Sequence, residues 1–306
     1  MVWTFEKASL LLNLEGVIVM EWVGFPGLGI DRLDISSQIK IFGFSIHWYG
    51  VIIAVGMSLA IIYAYFVAKK FGINRNNMID VIIIGIVCGI VGARLYYVIF
   101  SLDSFSGNWL KIFDLRTGGL AIYGGIIFAF LGGFFGCRWR KVKFLPMADI
   151  AAIGFLLGQG IGRWGNFVNI EAYGAHTDLP WGMTSSAIPL DIQPVHPTFL
   201  YESVWCILGF IAFNFFLKYR KFDGQIILMY MAWYGFERFF VEGLRTDSLW
   251  LVPDVIRVSQ LISLVLFVFA VFALSYMFLV YLKKHPDKEC LYVKTAEFEK
   301  SCSKEK

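Results

Sequence analysis

The sequence predicts an all-α polytopic membrane protein with about seven transmembrane helices. The chain of 306 residues is 58% hydrophobic and only 16% charged, whereas about a quarter of the residues of a soluble domain are charged. It also contains several apolar stretches of about 18 to 25 residues, the helix length that crosses a hydrocarbon core of ~30 Å. A soluble α/β protein would interrupt its apolar runs at shorter intervals with turns and period-two alternation.

Seven stretches are apolar enough and long enough to be spans. They lie near residues 46–68, 79–100, 119–136, 147–162, 197–217, 225–241 and 255–282. The membrane domain therefore covers 46–282 and includes one long loop at 163–196. The semi-apolar segment 1–45 is expected to lie on the outer face as an interfacial helix, and 283–306 to form a basic, mobile tail.

Basic residues give the orientation in the membrane. If seven spans alternate, the loops 69–76, 137–146 and 218–224 and the tail lie on one side, and each is rich in lysine and arginine. Loops rich in these residues face the cytoplasm. The N-terminus is therefore expected outside, and the C-terminus in the cytoplasm. The net charge of +4 resides largely in these loops, and nucleic acid is not among the expected partners.

A first polar cluster follows the fourth predicted span, in the stretch GRWGNFVNIEAYG at 162–174. Its polar residues are Arg163, Asn166, Asn169 and Glu171, spaced by three, three and two. That spacing does not hold one helix face, so the span is expected to end here and the chain to turn inward. Arg163 alone could extend to the interface, but a cation beside a carboxylate and two amides favours a binding site.

A second cluster lies in MAWYGFERFFVEGLRTD at 231–247. Tyr234, Arg238, Glu242 and Arg245 are spaced by four, four and three, which places them on one stripe of a helix. Arg238 and Glu242 form an i,i+4 pair, so the stripe could simply join helices. Because Arg245 is a second arginine on the same stripe, Glu242 cannot neutralise both cations. The unpaired positive charge favours a functional role for Arg238.

Two further clusters lie at other outer span ends. In HPTFLYES at 196–203, Pro197 suits the first turn of a helix, His196 lies at its cap, and Glu202 lies inside the span. In TGGLAIYGG at 117–125, glycines flank Tyr123 and favour close helix packing. Tyr49, in SIHWYG at 45–50, fits an interfacial anchor or an inward-facing residue.

Together, these clusters predict a site for an anion. Arg163, Arg238 and Arg245 all lie at the outer half of the bundle, and inward-facing arginines in a low dielectric bind anions. The abundant anion at that depth is a phospholipid phosphate, so we expect an anionic lipid headgroup from the outer leaflet. Neither a CxxC pair nor another pattern suggests a metal or a cofactor, and we expect none.

The motifs resemble those of the prolipoprotein diacylglyceryl transferases, which begin lipoprotein maturation in bacteria. GRWGNFVNIEAYG, HPTFLYES, YGFERFFVEGLRTD, GGLAIYGG and HWYG are all similar to motifs of that family and occur in its order. The resemblance covers about 45–280. It implies transfer of the diacylglyceryl group of phosphatidylglycerol to the lipobox cysteine of a prolipoprotein, in the bacterial cytoplasmic (inner) membrane. A thioether forms, and glycerol phosphate leaves.

The resemblance also implies roles for individual residues. Arg163 grips the headgroup, and Arg238 stabilises the leaving phosphate. The headgroup and the loop are oriented by Asn166, Asn169, Glu171 and Gly174, while Glu242 and Arg245 form the supporting stripe. The expected substrate-binding residues also include Tyr49, His196 and Tyr234. Some members carry a histidine where this chain has Tyr123, and a phenol titrates near pH ~10 against ~6.5 for imidazole. The base therefore stays open: Tyr123 could act as the base, or donate a hydrogen bond to phosphate while Glu202 or His196 accepts the thiol proton.

Three other classes of membrane protein are alternatives. A secondary transporter would show inverted repeats and binding groups at mid-membrane, whereas the polar groups gather at the outer ends. An intramembrane protease would need a serine with histidine, or two aspartates, at depth. A non-catalytic subunit that binds anionic lipid is excluded only by the family resemblance.

Overall fold

The computed structural model describes residues 21–41, 44–105, 109–114, 118–252, 255–295 and 298. Seven long helices correspond to the expected spans: α1 (Trp48–Val67), α2 (Arg75–Ile99), α3 (Ile122–Trp139), α4 (Phe144–Val168), α5 (Thr198–Phe216), α6 (Gln225–Leu244) and α7 (Val258–Tyr276). A π-helical turn, Met277–Tyr281, and a short helix α8 (Leu282–Lys284) continue from α7. The expected mostly helical polytopic fold is confirmed.

Six of the described helices are apolar and long enough to cross a membrane by length and composition. Helix α6 differs from them because its C-terminal half carries Glu237, Arg238 and Glu242 among its 20 residues. Many large apolar side chains on the helices are exposed, including Ile62, Phe215 and Phe272. Water would not tolerate so much apolar surface, whereas lipid does. Seven spans and their orientation stay predictions.

The chain divides into two compact units. The first comprises residues 1–59, 155–216 and 228–284, and the second comprises 60–154, 217–227 and 285–306. In the second unit, α2 and α3 pack closely through small residues. A Cβ at Gly92 would lie 2.2 Å from the Phe128 side chain, and one at Gly124 would lie 2.5 Å from the carbonyl oxygen of Gly92. Glycine at both positions therefore allows the helices to touch, which confirms the packing interpretation for Gly124.

The first unit also contains short strands. β1 (Glu21–Phe25) pairs with β2 (Ile30–Ile35) and with β5 (Thr184–Ser185), and β3 (Gln38–Ile41) pairs with β4 (Phe44–His47). A further hairpin joins β6 (Trp250–Val252) to β7 (Ile256–Arg257). A small apolar core that includes Val23, Ile170, Val195 and Phe199 fixes the sheet to the loop after α4.

The expected interfacial helix in segment 1–45 is therefore wrong for the described residues 21–41 and 44–45. They form strands, turns and one short 3-10 helix at Pro26–Leu28, because their backbone groups pair with one another. The rest of that segment lies outside the described residues.

Part of the tail contacts the loop before α6 within the second unit. The N–H of Tyr292 donates to the Asp223 carboxylate at 2.7 Å, the N–H of Asp223 donates to the Cys290 carbonyl at 3.0 Å, and Leu291 is buried. These contacts cap the loop before α6, and the mobility of the tail stays a prediction. Residues 296–297 and 299–306 lie outside the described part of the chain.

Candidate functional site

A chain of ion pairs joins three helices of the first unit. Glu202 on α5 accepts from Arg163 on α4, and its Oε2 atom also lies 3.2 Å from Nη1 of Arg238 on α6. Nη2 of Arg238 then lies 2.5 Å from Oε2 of Glu242, one helical turn further along α6. The sequence predicted each of these four residues as functional, and the fold brings them together.

The two guanidinium groups are more accessible than the carboxylates that hold them. The side chains of Arg163 and Arg238 are 18% and 14% exposed, against 1% for Glu202 and 3% for Glu242. A guanidinium has five N–H donors, and these pairs use only some of them. The accessible side of the cluster therefore presents positive charge and free donor capacity, which suits an oxyanion such as phosphate.

One acid of this cluster was missed by the sequence analysis. Glu237 on α6 is 6% exposed, and neither of its carboxylate oxygens has a hydrogen-bond partner among the described residues. It interacts electrostatically with Glu202, Arg163 and Arg238. Its position three residues after Tyr234 places it on the same helix face, and that spacing is the signal that could have revealed it.

A tyrosine pair extends the polar face of α6. The rings of Tyr230 and Tyr234 stack with centroids 5.8 Å apart, and the Tyr230 hydroxyl exchanges hydrogen bonds with the Gln159 amide at 2.9 and 3.2 Å. Tyr234 interacts electrostatically with both Arg163 and Arg238. Tyr234 thus lies at the predicted site, whereas Tyr230 and Gln159 were not singled out by the sequence.

Helix α4 continues past its expected end. It runs to Val168, so Arg163 and Asn166 lie in its last turns rather than in a turn beyond residue 162, and the expected boundary is wrong. The helix tolerates them because they have partners: Arg163 pairs with Glu202, and Nδ2 of Asn166 donates to Glu171 at 2.8 Å. The side chain of Asn169 has no described hydrogen bond, and its backbone N–H closes the helix on Gly165.

Tyr49 packs directly over the backbone of the motif. A Cβ at Gly165 would lie 2.7 Å from a ring carbon of Tyr49, so glycine is required for this approach. Tyr49 also interacts electrostatically with Glu171 and Arg163. The Tyr49 ring thus lies against α4 while the residue stays 36% exposed, and its role at the substrate stays a prediction.

Arg245 does not belong to the stripe that the sequence predicted. Helix α6 ends at Leu244, and Arg245 instead binds Asp247 through two hydrogen bonds of 2.9 and 2.8 Å. Burial alone would raise the pKa of Asp247, but the hydrogen bonds and charge of Arg245 lower it below its usual range. The i+3 spacing failed as a guide because the helix stops and an acid two residues away captures the arginine.

Gly174 forms a junction between the long loop and the end of α6. Its N–H donates to the His196 carbonyl at 2.9 Å, and the neighbouring Ala175 N–H donates to the Leu244 carbonyl at 2.8 Å. A Cβ at Gly174 would lie 2.7 Å from that of His196. The space at residue 174 is thus filled by the protein itself.

His196 precedes α5 and belongs to a separate hydrogen-bonded group. Its Nδ1 lies 3.1 Å from the Tyr201 hydroxyl, which accepts a hydrogen bond of 2.8 Å from Nε1 of Trp181. Burial, and then the nearby His176, lower the pKa of His196. Its imidazole is therefore neutral at physiological pH and able to accept a proton.

Tyr123 lies in the second unit, in the first turn of α3, with a side chain that is 39% exposed. Gly118 and Gly119 before it have φ values of +81° and +75°, which only glycine adopts without strain. Their carbonyl groups accept hydrogen bonds of 2.8 and 3.0 Å from Nη1 of Arg94. Arg94, which the sequence analysis missed, is buried and also binds the carbonyls of Lys111, Ile112 and Asp114. It fixes the loop that leads to Tyr123.

An apolar groove of about 340 Å³ lies in the first unit, next in sequence to two residues of the ion-pair chain. Trp164 and Ser203, which follow Arg163 and Glu202, line it together with Trp48, Ile52 and Ile207. Nε1 of Trp164 donates to the Ser203 hydroxyl at 3.2 Å, so the polar groups in its wall are bonded to each other. The surface left to a ligand is largely hydrocarbon.

Known proteins are similar over most of the chain. The family model described as prolipoprotein diacylglyceryl transferase matches residues 37–276. The phosphatidylglycerol–prolipoprotein diacylglyceryl transferase of Finegoldia magna is 49% identical over 240 residues, which cover 78% of this chain and 92% of the relative. Its counterpart in Clostridioides difficile is 46% identical over 225 residues, 74% of this chain and 88% of that protein. The family model spans the helices that carry the ion-pair chain, and the chain belongs to the prolipoprotein diacylglyceryl transferase family.

Proposed function

We propose that this transferase moves the diacylglyceryl group of phosphatidylglycerol to the thiol of the lipobox cysteine in a prolipoprotein signal peptide. The relatives are named for phosphatidylglycerol and prolipoprotein. The observation that carries the proposal in this chain is the sharing of one buried carboxylate, Glu202, by two arginines from different helices. That arrangement holds two guanidinium groups side by side, where both can bind the anionic oxygens of one phosphodiester.

In this proposal, Arg163 grips the lipid phosphate and Arg238 stabilises the leaving group. The thiolate attacks the glycerol carbon, the carbon–oxygen bond breaks, and its electron pair goes to the phosphate oxygen. The phosphate then carries more negative charge than in the lipid. Preorganised cations that face this charge lower the barrier, because they need no reorganisation during the step. Glu171, Asn166 and Asn169 orient the loop beside the headgroup.

The thiol proton needs an acceptor, because a free cysteine has a pKa of about 8.5. His196 is supported as the acceptor by its neutral imidazole. Glu202 is the alternative acceptor, because it lies in the cluster proposed to bind the lipid phosphate. Tyr123 is proposed as a hydrogen-bond donor to the phosphate or as the base itself, on the basis of the sequence resemblance alone.

The apolar groove is proposed to hold an acyl chain of the lipid donor. Its hydrocarbon walls suit a lipid tail, and Trp164 and Ser203 connect it along the chain to Arg163 and Glu202. The protein is a multi-pass membrane protein, and we place it in the bacterial cytoplasmic membrane. Seven spans, an outer N-terminus and an outer loop at 163–196 put the arginines toward the outer leaflet.

The test is a reconstituted transfer reaction. Purified protein is mixed with phosphatidylglycerol vesicles and a lipobox peptide, and the diacylglyceryl-modified peptide is detected by mass spectrometry. Modification of the peptide, and none of a serine-substituted peptide, is the expected result. Vesicles of phosphatidylethanolamine serve as the donor control. Lipid binding without product would instead identify a scaffold that only holds anionic lipid.

A further inference from the structure

We propose that Glu237 holds a proton in the resting site and donates it to the departing phosphate oxygen. The proposal rests on the proposed function. Glu237 is 6% exposed, and neither carboxylate oxygen has a hydrogen-bond partner among the described residues. An ionised carboxylate in such surroundings is costly, because nothing replaces the water that it has lost. A protonated carboxyl group avoids that cost.

The charges around Glu237 support this assignment. Arg163 and Arg238 are already matched by Glu202 and Glu242, so the four groups sum to zero. A charged Glu237 would add an unmatched negative charge close to Glu202, before any phosphate binds. A neutral Glu237 leaves the guanidinium groups better able to receive the lipid anion.

The titratable groups that face Glu237 come from three helices. They are Arg163 on α4, Glu202 and Cys206 on α5, and Tyr234 and Arg238 on α6 itself. Helix α7 carries Tyr276 at its far end as its one titratable residue, and Arg257 before it donates to the Glu242 carbonyl. Glu237 is thus an acid without a hydrogen-bond partner in the part of the chain that the structure describes, next to the cations proposed to bind phosphate.

The proton balance of the step follows directly. The sulfur–carbon bond forms, the carbon–oxygen bond breaks, and the electron pair of the broken bond stays on the phosphate oxygen. The Glu237 proton moves to that oxygen, and glycerol phosphate leaves with one negative charge rather than two. The base that accepts the thiol proton then passes it to Glu237, so that the net result is transfer of the thiol proton to the leaving group.

A merely structural Glu237 leads to different expectations. If Glu237 served only as a third counter-ion, Glu237→Gln would leave the shape intact, remove a negative charge and strengthen lipid binding. Its pH profile would match that of the wild type. If Glu237 is the acid, the wild-type rate falls at alkaline pH as the proton is lost, and Glu237→Gln lacks that descending limb and is slower by about 10²- to 10⁴-fold.

The experiment measures the transfer rate against pH for the wild type, Glu237→Gln, Glu237→Asp and the control Asp80→Asn. Asp80 is an acid of α2 that pairs with Arg140 at 2.6 Å in the second unit, and its variant should keep the wild-type profile. Glu237→Asp keeps a titratable acid and should keep the descending limb. A Glu237→Gln enzyme with the wild-type profile and a rate within a few-fold of wild type would overturn the proposal.

Infrared spectroscopy tests the same proposal without catalysis. The difference spectrum between wild type and Glu237→Gln at neutral pH should contain the carbonyl stretch of a protonated carboxylic acid, and a carboxylate band in its place would overturn the assignment. If Glu237→Gln does not fold, the same band is sought between wild type and Glu237→Asp as a shift in frequency. A wild-type protein that fails to modify the peptide would refute the proposed function and leave the infrared result to decide the protonation.

Discussion

Oε2 of Glu202 accepts from both Arg163 and Arg238, so that one buried oxygen fixes the spacing of two guanidinium groups from different helices. Without this oxygen, two like charges would repel each other in a medium of low dielectric. The carboxylate therefore determines how closely the arginines can approach, and hence how they can bind one phosphate.

Glu202→Gln should separate the two arginines. The amide keeps the size of the side chain but cannot neutralise either cation, and removal of one partner of a buried ion pair costs about 3–5 kcal/mol. We expect a lower thermal unfolding temperature in detergent and a large loss of transfer activity. Glu242→Gln, which leaves the shared oxygen in place, should cost less stability. Equal stability of Glu202→Gln and wild type would contradict this role.

Arg163→Lys should fail although it keeps the charge. A lysine ammonium cannot make the planar two-point contact that a guanidinium makes with phosphate. Loss of one hydrogen bond between charged groups corresponds to about 1.5–3 kcal/mol, or roughly tenfold to 150-fold in rate. Arg163→Ala should abolish transfer. Arg140→Lys, in the second unit, is the matched control, and near-normal activity in Arg163→Lys would mean that only charge matters.

Composition and periodicity predicted the fold correctly because lipid imposes simple requirements on a helix. Seven helices of 18 to 25 residues lie close to the expected positions. The sequence predicts the end of α4 too early, because the spacing of its polar residues by three, three and two does not hold one helix face. In the structure, Glu202 binds Arg163 and Glu171 binds Asn166, and such partners cannot be read from local spacing.

The sequence predicted the site residues that lie in motifs with several polar residues. It missed a residue whose significance depends on its surroundings in the fold. Arg163, Glu202, Arg238 and Glu242 were all identified, and the fold joins them. Glu237 was overlooked because its importance depends on burial without a partner. Arg245 lies off the predicted stripe because the helix stops at Leu244, and its role at the substrate stays a prediction.

The orientation can be checked by cysteine labelling in a cysteine-free background. Asp178, in the long loop, has a side chain that is 97% exposed, and Lys141 is exposed between α3 and α4. A membrane-impermeant maleimide should label Asp178→Cys in intact cells and Lys141→Cys only after permeabilisation. The reverse pattern would invert the orientation and remove the site from the outer leaflet.

Substitutions at Tyr123 separate its two proposed roles. If Tyr123 is the base, Tyr123→Phe should be inactive and Tyr123→His should restore transfer with a lower pH optimum, as expected of imidazole. If it donates one hydrogen bond to phosphate, Tyr123→Phe should cost about 0.5–3 kcal/mol and keep the acid limb of the pH profile. We expect the second result. Complete loss with rescue by histidine would show that expectation to be wrong.

The pH dependence of protein stability tests the protonation state of His196, one of the candidate bases. Burial lowers its pKa in the folded protein, so the unfolded chain binds a proton first as the pH falls. The contribution of His196 to stability is therefore present above its ordinary pKa of about 6.5 and is lost as the pH falls below that value toward the folded pKa. His196→Gln should remove this part of the acid destabilisation in thermal unfolding.

The same variant distinguishes a structural from a catalytic histidine. If His196 only orients Tyr201, then Tyr201→Phe and His196→Gln should reduce transfer to a similar, modest extent, and both should keep the acid limb of the rate profile. If His196 accepts the thiol proton, His196→Gln alone should lose that limb together with about 10²- to 10⁴-fold in rate, while Tyr201→Phe should retain it. A neutral imidazole is the form that such a base requires, and its lowered pKa extends that form to more acidic solutions. A His196→Gln enzyme with an unchanged acid limb would assign the proton to Glu202 or Tyr123.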